Sequence, residues 1–111
     1  MRRAAPVLAF VSVLALADAT AFAQGSGDPA KGRAFALEVC TPCHVVAQDQ
    51  LSPRRLATAP EFRAIANARG MTETSLHAFL STPHPTMPNL ILSQREQDDV
   101  IAYILSLRRR Q

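Results

Sequence analysis

The feature that most constrains this chain is the five-residue run Cys40-Thr41-Pro42-Cys43-His44. Its C-x-x-C-H spacing reads as covalent attachment of a c-type haem, and each position has a chemical reason. Two thiols three residues apart can add to the two vinyl groups on one edge of the porphyrin. The imidazole that follows then lies beneath the ring, within reach of the iron. The chain has two cysteines and the motif uses both. A disulfide, a thioredoxin-like redox pair and half of a zinc site are the competing readings. Zinc takes about four ligands, and the sequence offers neither a second Cys pair nor an H-x-x-x-H spacing. A thioredoxin-like pair belongs beside a βαβ pattern, and no stretch of the sequence is strand-rich.

The N-terminus bears on where such a motif could be used. Met1-Arg2-Arg3 is a short basic start, and Ala4 to Ala17 is apolar apart from Ser12. Ala21-Phe22-Ala23 then fits an A-x-A cleavage site, so residues 1–23 read as a secretory signal peptide. The apolar run is shorter than the roughly 20 residues needed to span a bilayer, and no later segment comes close. Stable membrane insertion after cleavage is therefore not expected. Gln24 to Gln111 remain as one small domain. Loss of Arg2, Arg3 and Asp18 lowers the formal charge of +3 by one, and two haem propionates would bring the protein near neutrality. The sequence pI of about 9.5 thus overstates the basic character of the mature chain. No basic stripe with interleaved aromatics appears, which excludes nucleic acid as an expected partner.

A chain this short, with no tryptophan, has limited means to build a core. A covalently held haem would serve as the staple that small domains need.

The elements read as helices. Gln24-Gly25-Ser26-Gly27 reads as a flexible start. Asp28-Pro29 opens a helix, with Asp28 as N-cap and Pro29 at the first helical position, running to about Val39. Phe35, Leu37 and Val39 supply apolar surface. Gly32 inside it costs roughly 1 kcal/mol relative to Ala and suggests close approach of another element. Val45 to Ala59 reads as a loop, Glu61 to Ala68 as a short helix closed by Gly70. Thr72 caps the next helix, which carries Leu76, Phe79 and Leu80. Pro83, Pro85 and Pro88 then exclude regular structure. Ser93 and Glu96 form a capping box, and Asp98 and Asp99 add charge favoured near that helix N-terminus. Val100, Tyr103, Ile104 and Leu107 recur at i, i+3, i+4, i+7, the pattern of one buried face. Arg108, Arg109 and Arg110 read as a solvated helix end, with steering of an acidic partner as the other reading. The fold class is all-α, with about four helices around one haem.

An iron held by His44 has a second axial position. Met71, His77, His84 and Met87 are the candidates. His77 sits between Leu76 and Ala78 and reads as a surface or rim residue. Met71 follows Gly70 and reads as gap-filling. Met87 precedes Pro88 in the proline-rich loop, and a stiff loop can hold a thioether on iron and exclude water. His84, flanked by Pro83 and Pro85, is the runner-up.

These residues together resemble the bacterial class I cytochromes c. The likeness rests on Gly32 eight residues before Cys40, on Cys40-Thr41-Pro42-Cys43-His44, on the Met87-Pro88 loop, and on Val100-Ile101-Ala102-Tyr103-Ile104. The resemblance implies a cytochrome c fold whose first and last helices cross nearly at right angles, Gly32 packing on the helix that bears Tyr103. It implies Cys40 and Cys43 as thioether anchors of one haem c, with His44 and Met87 as axial ligands. It also places haem attachment outside the bacterial cytoplasmic membrane, hence in the periplasm. Two departures stand out. The aromatic that family members often carry four residues before the first Cys is Ala36 here, with Phe35 beside it. The Gly-Pro that follows the motif in many members, with a carbonyl that accepts the proximal imidazole's proton, has two counterparts, Ser52-Pro53 and Ala59-Pro60.

The expected function is one-electron transfer to and from redox protein partners in the periplasm, with no catalysis of its own. Met ligation favours Fe(II) and raises the potential. Two other roles are open at this stage. The chain could be a fixed haem subunit of a periplasmic dehydrogenase or oxidase complex, or a sensor in which a small gas displaces Met87.

Overall fold

The computed structural model describes residues 27–50, 59–83, 85, 87 and 90–109. The expected signal peptide and His84 lie outside these residues. Among the described residues there are four helices and no strand: α1 (Pro29–Val39), α2 (Phe62–Ala66), α3 (Glu73–Leu80) and α4 (Gln94–Ser106). The expected all-α class is what is found.

Local chemistry sets the helix starts. The Asp28 carboxylate accepts from the amides of Ala30 (2.9 Å) and Lys31 (3.3 Å), capping α1. Thr72 and Ser75 form a reciprocal box at α3, the Ser75 hydroxyl accepting from the Thr72 amide at 2.8 Å. Ser93 and Glu96 do the same at α4, the Glu96 carboxylate accepting from the Ser93 amide at 2.7 Å.

Helix α2 is shorter than the Glu61–Ala68 span expected. Glu61 keeps an extended backbone and no side chain caps it. At the other end Asn67 competes with the helix for its own backbone. Its Nδ2 donates to the Arg63 carbonyl at 2.7 Å, while its Oδ1 accepts from the Arg109 amide at 3.0 Å. The helix therefore stops at Asn67. Gly70, with φ +73°, makes the left-handed turn that follows.

Helix α4 is the axis of the domain, with α1, α2 and α3 all packed on it. Val100, Tyr103 and Ile104 are buried as their spacing predicts, and Ile101 is buried as well. A helix flanked by three others buries more than one stripe, which is why the face is wider than its periodicity. Ala36, Val46, Phe62, Ala66 and Leu76 complete the core.

The α1–α4 contact is backbone against backbone. A Cβ placed on Gly32 would overlap the Asp99 carbonyl and stand 2.9 Å from the Val100 amide nitrogen. The expected packing of Gly32 on the helix that bears Tyr103 is thus found. Gly27 makes a second such contact, where a Cβ would overlap the Asp98 carbonyl and reach 2.7 Å from the Asp99 nitrogen. It is an extension of the crossing, and the reading of this residue as part of a flexible start is corrected.

The two aspartates of α4 serve this interface. Asp99 is buried and its Oδ1 accepts from the Asp28 amide at 2.7 Å, tying the N-terminus of α1 to the middle of α4. Asp98 Oδ1 lies 3.1 Å from His77 Nε2, joining α4 to α3. Arg108 is likewise more than a solvated end. Its guanidinium donates to the carbonyls of Ala66 and Met71 and pins the α2–α3 connection.

Gly32→Val should separate the two helices and cost roughly 1–3 kcal/mol through overpacking, read as a lowered midpoint of thermal unfolding. The Glu96 cap should show in acid. Hydrogen bonds from the Ser93 hydroxyl and amide hold the Glu96 carboxyl below its ordinary range. Its contribution is complete above the unfolded-state value and is lost as pH falls through the depressed one. Glu96→Gln keeps a capping side chain without the charge. The stability advantage of the wild type over this variant should therefore shrink on acidification, as thermal melts over a pH series would record.

Candidate cofactor site

The site begins where α1 ends. Cys40 is the C-cap, its amide still donating to the Ala36 carbonyl at 2.9 Å. The Cys40 carbonyl then accepts from two amides, Cys43 at 3.1 Å and His44 at 2.9 Å. This tight turn gathers both thiols and the imidazole within one bend of chain. Both cysteines are free thiols and half-buried. Burial, and then the neighbouring Cys43, pushes the Cys40 thiol up to about 11. Before attachment it is a neutral thiol at neutral pH.

The imidazole of His44 is held by an acceptor on another segment. Its Nδ1 lies 2.7 Å from the Pro60 carbonyl oxygen. A carbonyl can only accept, so Nδ1 carries a proton, and in the neutral ring the lone pair is on Nε2. Of the two candidate partners in the sequence, Ala59-Pro60 supplies the bond. The donor set fits a haem: two unpaired thiols, and one imidazole whose tautomer is fixed for metal binding through the far nitrogen.

The segment that follows is pinned from several sides. The Phe62 amide donates to the Val45 carbonyl at 2.9 Å, so residues 60–62 run alongside residues 44–45. The Tyr103 hydroxyl donates to the Val46 carbonyl at 2.9 Å, a buried bond from α4. Gln50 folds back: its Oε1 accepts from the amides of Val46 (2.6 Å) and Ala47 (3.1 Å), and its Nε2 donates to the His44 carbonyl (3.3 Å). The rings of His44 and Phe62 meet edge to face with centroids 5.5 Å apart, and Phe62 leans on Tyr103 at 6.3 Å. Arg33 of α1 reaches both oxygens of Asp49, at 2.9 and 2.8 Å, and holds that carboxyl below its ordinary range.

The other candidates are placed as follows. Met87 is half-buried in the connection between α3 and α4. Met71 packs against the core, as a gap-filling residue does, with its sulfur 3.6 Å from the Ser75 hydroxyl. His77 is half-buried between Asp98 and Gln97. A cavity of about 310 Å³ is lined by Arg33, Val45–Asp49, Glu61, Arg63, Tyr103 and Leu107. Neither cysteine, nor His44, nor Met87 lines it. Residues 45–49 of the pinned segment form part of its wall, and it carries two guanidinium groups and two carboxylates, of which Arg33 and Asp49 are paired.

Gln50 and Gln97 escaped the sequence reading. Glutamine in a loop or on a helix carries no spacing signal; Gln50 bonds backbone groups, and Gln97 bonds one carbonyl together with Ser81 and His77, which lie 16 and 20 residues away in the chain. The one available cue for Gln50 is its position shortly after the motif.

The chain is 38% identical over 96 residues to cytochrome c-552 of Bradyrhizobium diazoefficiens, a match covering 86% of this chain and 89% of that protein. No family model matches, and no solved structure matches significantly.

Tyr103→Phe should leave the Val46 carbonyl buried without a donor. A loss of about 1–3 kcal/mol in unfolding free energy is expected, with little change in helix content by circular dichroism.

Proposed function

The chain belongs to the class I c-type cytochromes, and on that premise we propose that it is an exported one-electron carrier whose iron sits between His44 and Met87. Family membership brings a covalently bound haem c and a role in electron transfer. The observation that supports His44, Cys40 and Cys43 in this reading is the 2.7 Å bond from His44 Nδ1 to the Pro60 carbonyl, beside two free thiols on the same turn; Met87 is carried by its place in the proline-rich loop and by the family likeness. When bound, the haem supplies one reversible Fe(II)/Fe(III) couple.

The residues divide the remaining work. Cys40 and Cys43 anchor the macrocycle as thioethers. His44 offers Nε2 to the iron, and the Pro60 carbonyl sharpens its basicity by polarising the imidazole. Met87 would supply a soft thioether to the iron, which favours Fe(II), and a site filled in this way would leave no open position for a peroxide or a gas. With its ligands unchanged between oxidation states, the iron would rearrange little. The chain then has no catalytic role of its own.

The remaining parts of the reading concern place and partners. Residues 1–23 are the proposed signal peptide and the periplasm the proposed compartment. Among the described residues no helix is long and apolar enough to cross a membrane. The partners are redox proteins met transiently. Leu90 and Ile91 lie shortly after Met87 in the loop between α3 and α4, and Ile91 is 95% exposed. Apolar surface at this point suits docking of a protein partner.

Two measurements test this. Haem should stay with the polypeptide through denaturation and acid-acetone extraction, and Cys40→Ser with Cys43→Ser should abolish that retention. The ferric protein should show the weak near-infrared charge-transfer band of a thioether on low-spin haem. Met87→Ala should remove the band, lower the potential and admit cyanide or carbon monoxide, while His84→Ala leaves all three unchanged. A reversed pattern would make His84 the ligand. Indifference to both would point to an open site and the gas sensor.

A further inference from the structure

We infer that Gln97 is a positioning residue that closes the loop bearing Met87, an inference that rests on Met87 being the sixth ligand. The loop runs from Ser81, the C-cap of α3, to Ser93, the N-cap of α4. Gln97 grips it at both ends. Its Nε2 donates to the Leu92 carbonyl at 3.3 Å, near where the loop rejoins α4. Its Oε1 accepts from the Ser81 hydroxyl at 3.2 Å, where the loop leaves α3. Because Nε2 must face a carbonyl, the amide has one orientation, and Oε1 is left for Ser81.

The grip is backed by a second layer. His77 Nδ1 approaches the same Oε1 at 3.5 Å, and its Nε2 lies 3.1 Å from Asp98 Oδ1. Asp98 neighbours Gln97 on α4, and His77 is one turn before Ser81 on α3. The end of α3, the start of α4 and both ends of the loop are thereby joined through one side-chain amide.

The loop needs such a device. Pro83, Pro85 and Pro88 each remove a backbone donor, so the loop has fewer hydrogen bonds of its own to fix its shape. A neutral thioether holds its place on a metal against stronger ligands if the chain keeps it there. Fixing the two ends of a loop removes closure entropy that ligand bonding would otherwise have to offset. Gln97 reaches no cofactor in this scheme; it acts through the loop.

The test uses the haem-loaded ferric protein, with cyanide as competitor and the near-infrared thioether band as readout. Gln97→Ala should retain the band without cyanide. Cyanide should displace the thioether at about tenfold lower concentration than in wild type, the scale expected from losing two ordinary hydrogen bonds. Ile104→Val is the control, since Ile104 is a buried core residue two turns beyond Gln97 on α4 and its shortening weakens that core. It should lower the unfolding midpoint and leave the cyanide titration where it was. If Gln97→Ala titrates like wild type, or shifts no further than Ile104→Val, the positioning role is overturned while the Met87 reading stands. If the wild type shows no thioether band and Met87→Ala changes nothing, Met87 is not the ligand and the inference falls with it.

Discussion

The structure depends on one close approach, that of α1 to α4 at Gly32 and Gly27. At both positions the α4 backbone occupies the space of a side chain. That approach brings the N-terminus of α1 near enough for Asp99 to take the Asp28 amide. It also fixes where α1 points. Since α1 ends in Cys40, the direction of that helix decides where the attachment turn is delivered. The residues that gather two thiols and an imidazole are local in sequence, but their position in the molecule is set by a contact at the opposite end of the helix.

The segment that carries His44 is then held by hydrogen bonds to its main-chain groups, several of them from side chains. Residues 44–47 have no helix or sheet to satisfy their polar groups, and buried groups left unpaired are costly. The chain answers with partners from three directions: the 60–62 segment alongside, Tyr103 from α4, and Gln50 from within the same loop. The bond from His44 to the Pro60 carbonyl belongs to this system. The imidazole tautomer is thus a by-product of satisfying an irregular stretch of main chain, and the same bonds that make the loop affordable hold the imidazole in place. Tyr103 connects the two systems, because its ring lies in the α4 core while its hydroxyl holds the Val46 carbonyl.

Much of this was legible in the sequence. The helix starts at Asp28, Thr72 and Ser93 were readable because capping acts over three or four residues and needs no tertiary context. The α4 face and Gly32 were readable from periodicity and from a glycine inside a helix. What escaped depends on contacts between distant residues. Gly27 looks like linker unless one knows that Asp98 lies over it. Asp98 and Asp99 look like dipole charges, yet one holds His77 and the other the Asp28 amide. The choice between Ser52-Pro53 and Ala59-Pro60 could not be made from composition, since either carbonyl suits an imidazole and spatial proximity alone decides. The proposed role of Met87 as an iron ligand rests on the proline-rich loop and the family likeness, with the chemistry of a soft sulfur donor behind both.

The two sides of the proposed metal site are held by different means. His44 is bound into a segment paired with main-chain groups, with the Gln50 side chain and with buried Tyr103, whose hydroxyl ties it to the α4 core. Met87 stands in a loop whose prolines withhold donors, and its ends are joined by the side chains of Ser81, Gln97, His77 and Asp98. Side-chain bonds at a half-exposed position can open without disturbing the helices they connect, so the loop has the lower local stability. On the proposed reading, the proximal ligand therefore shares the stability of the fold and the distal ligand has its own. A carrier built this way keeps its haem and its proximal bond under any condition in which α1 and α4 remain crossed, while the sixth bond responds to whatever loosens the Ser81–Leu92 connection.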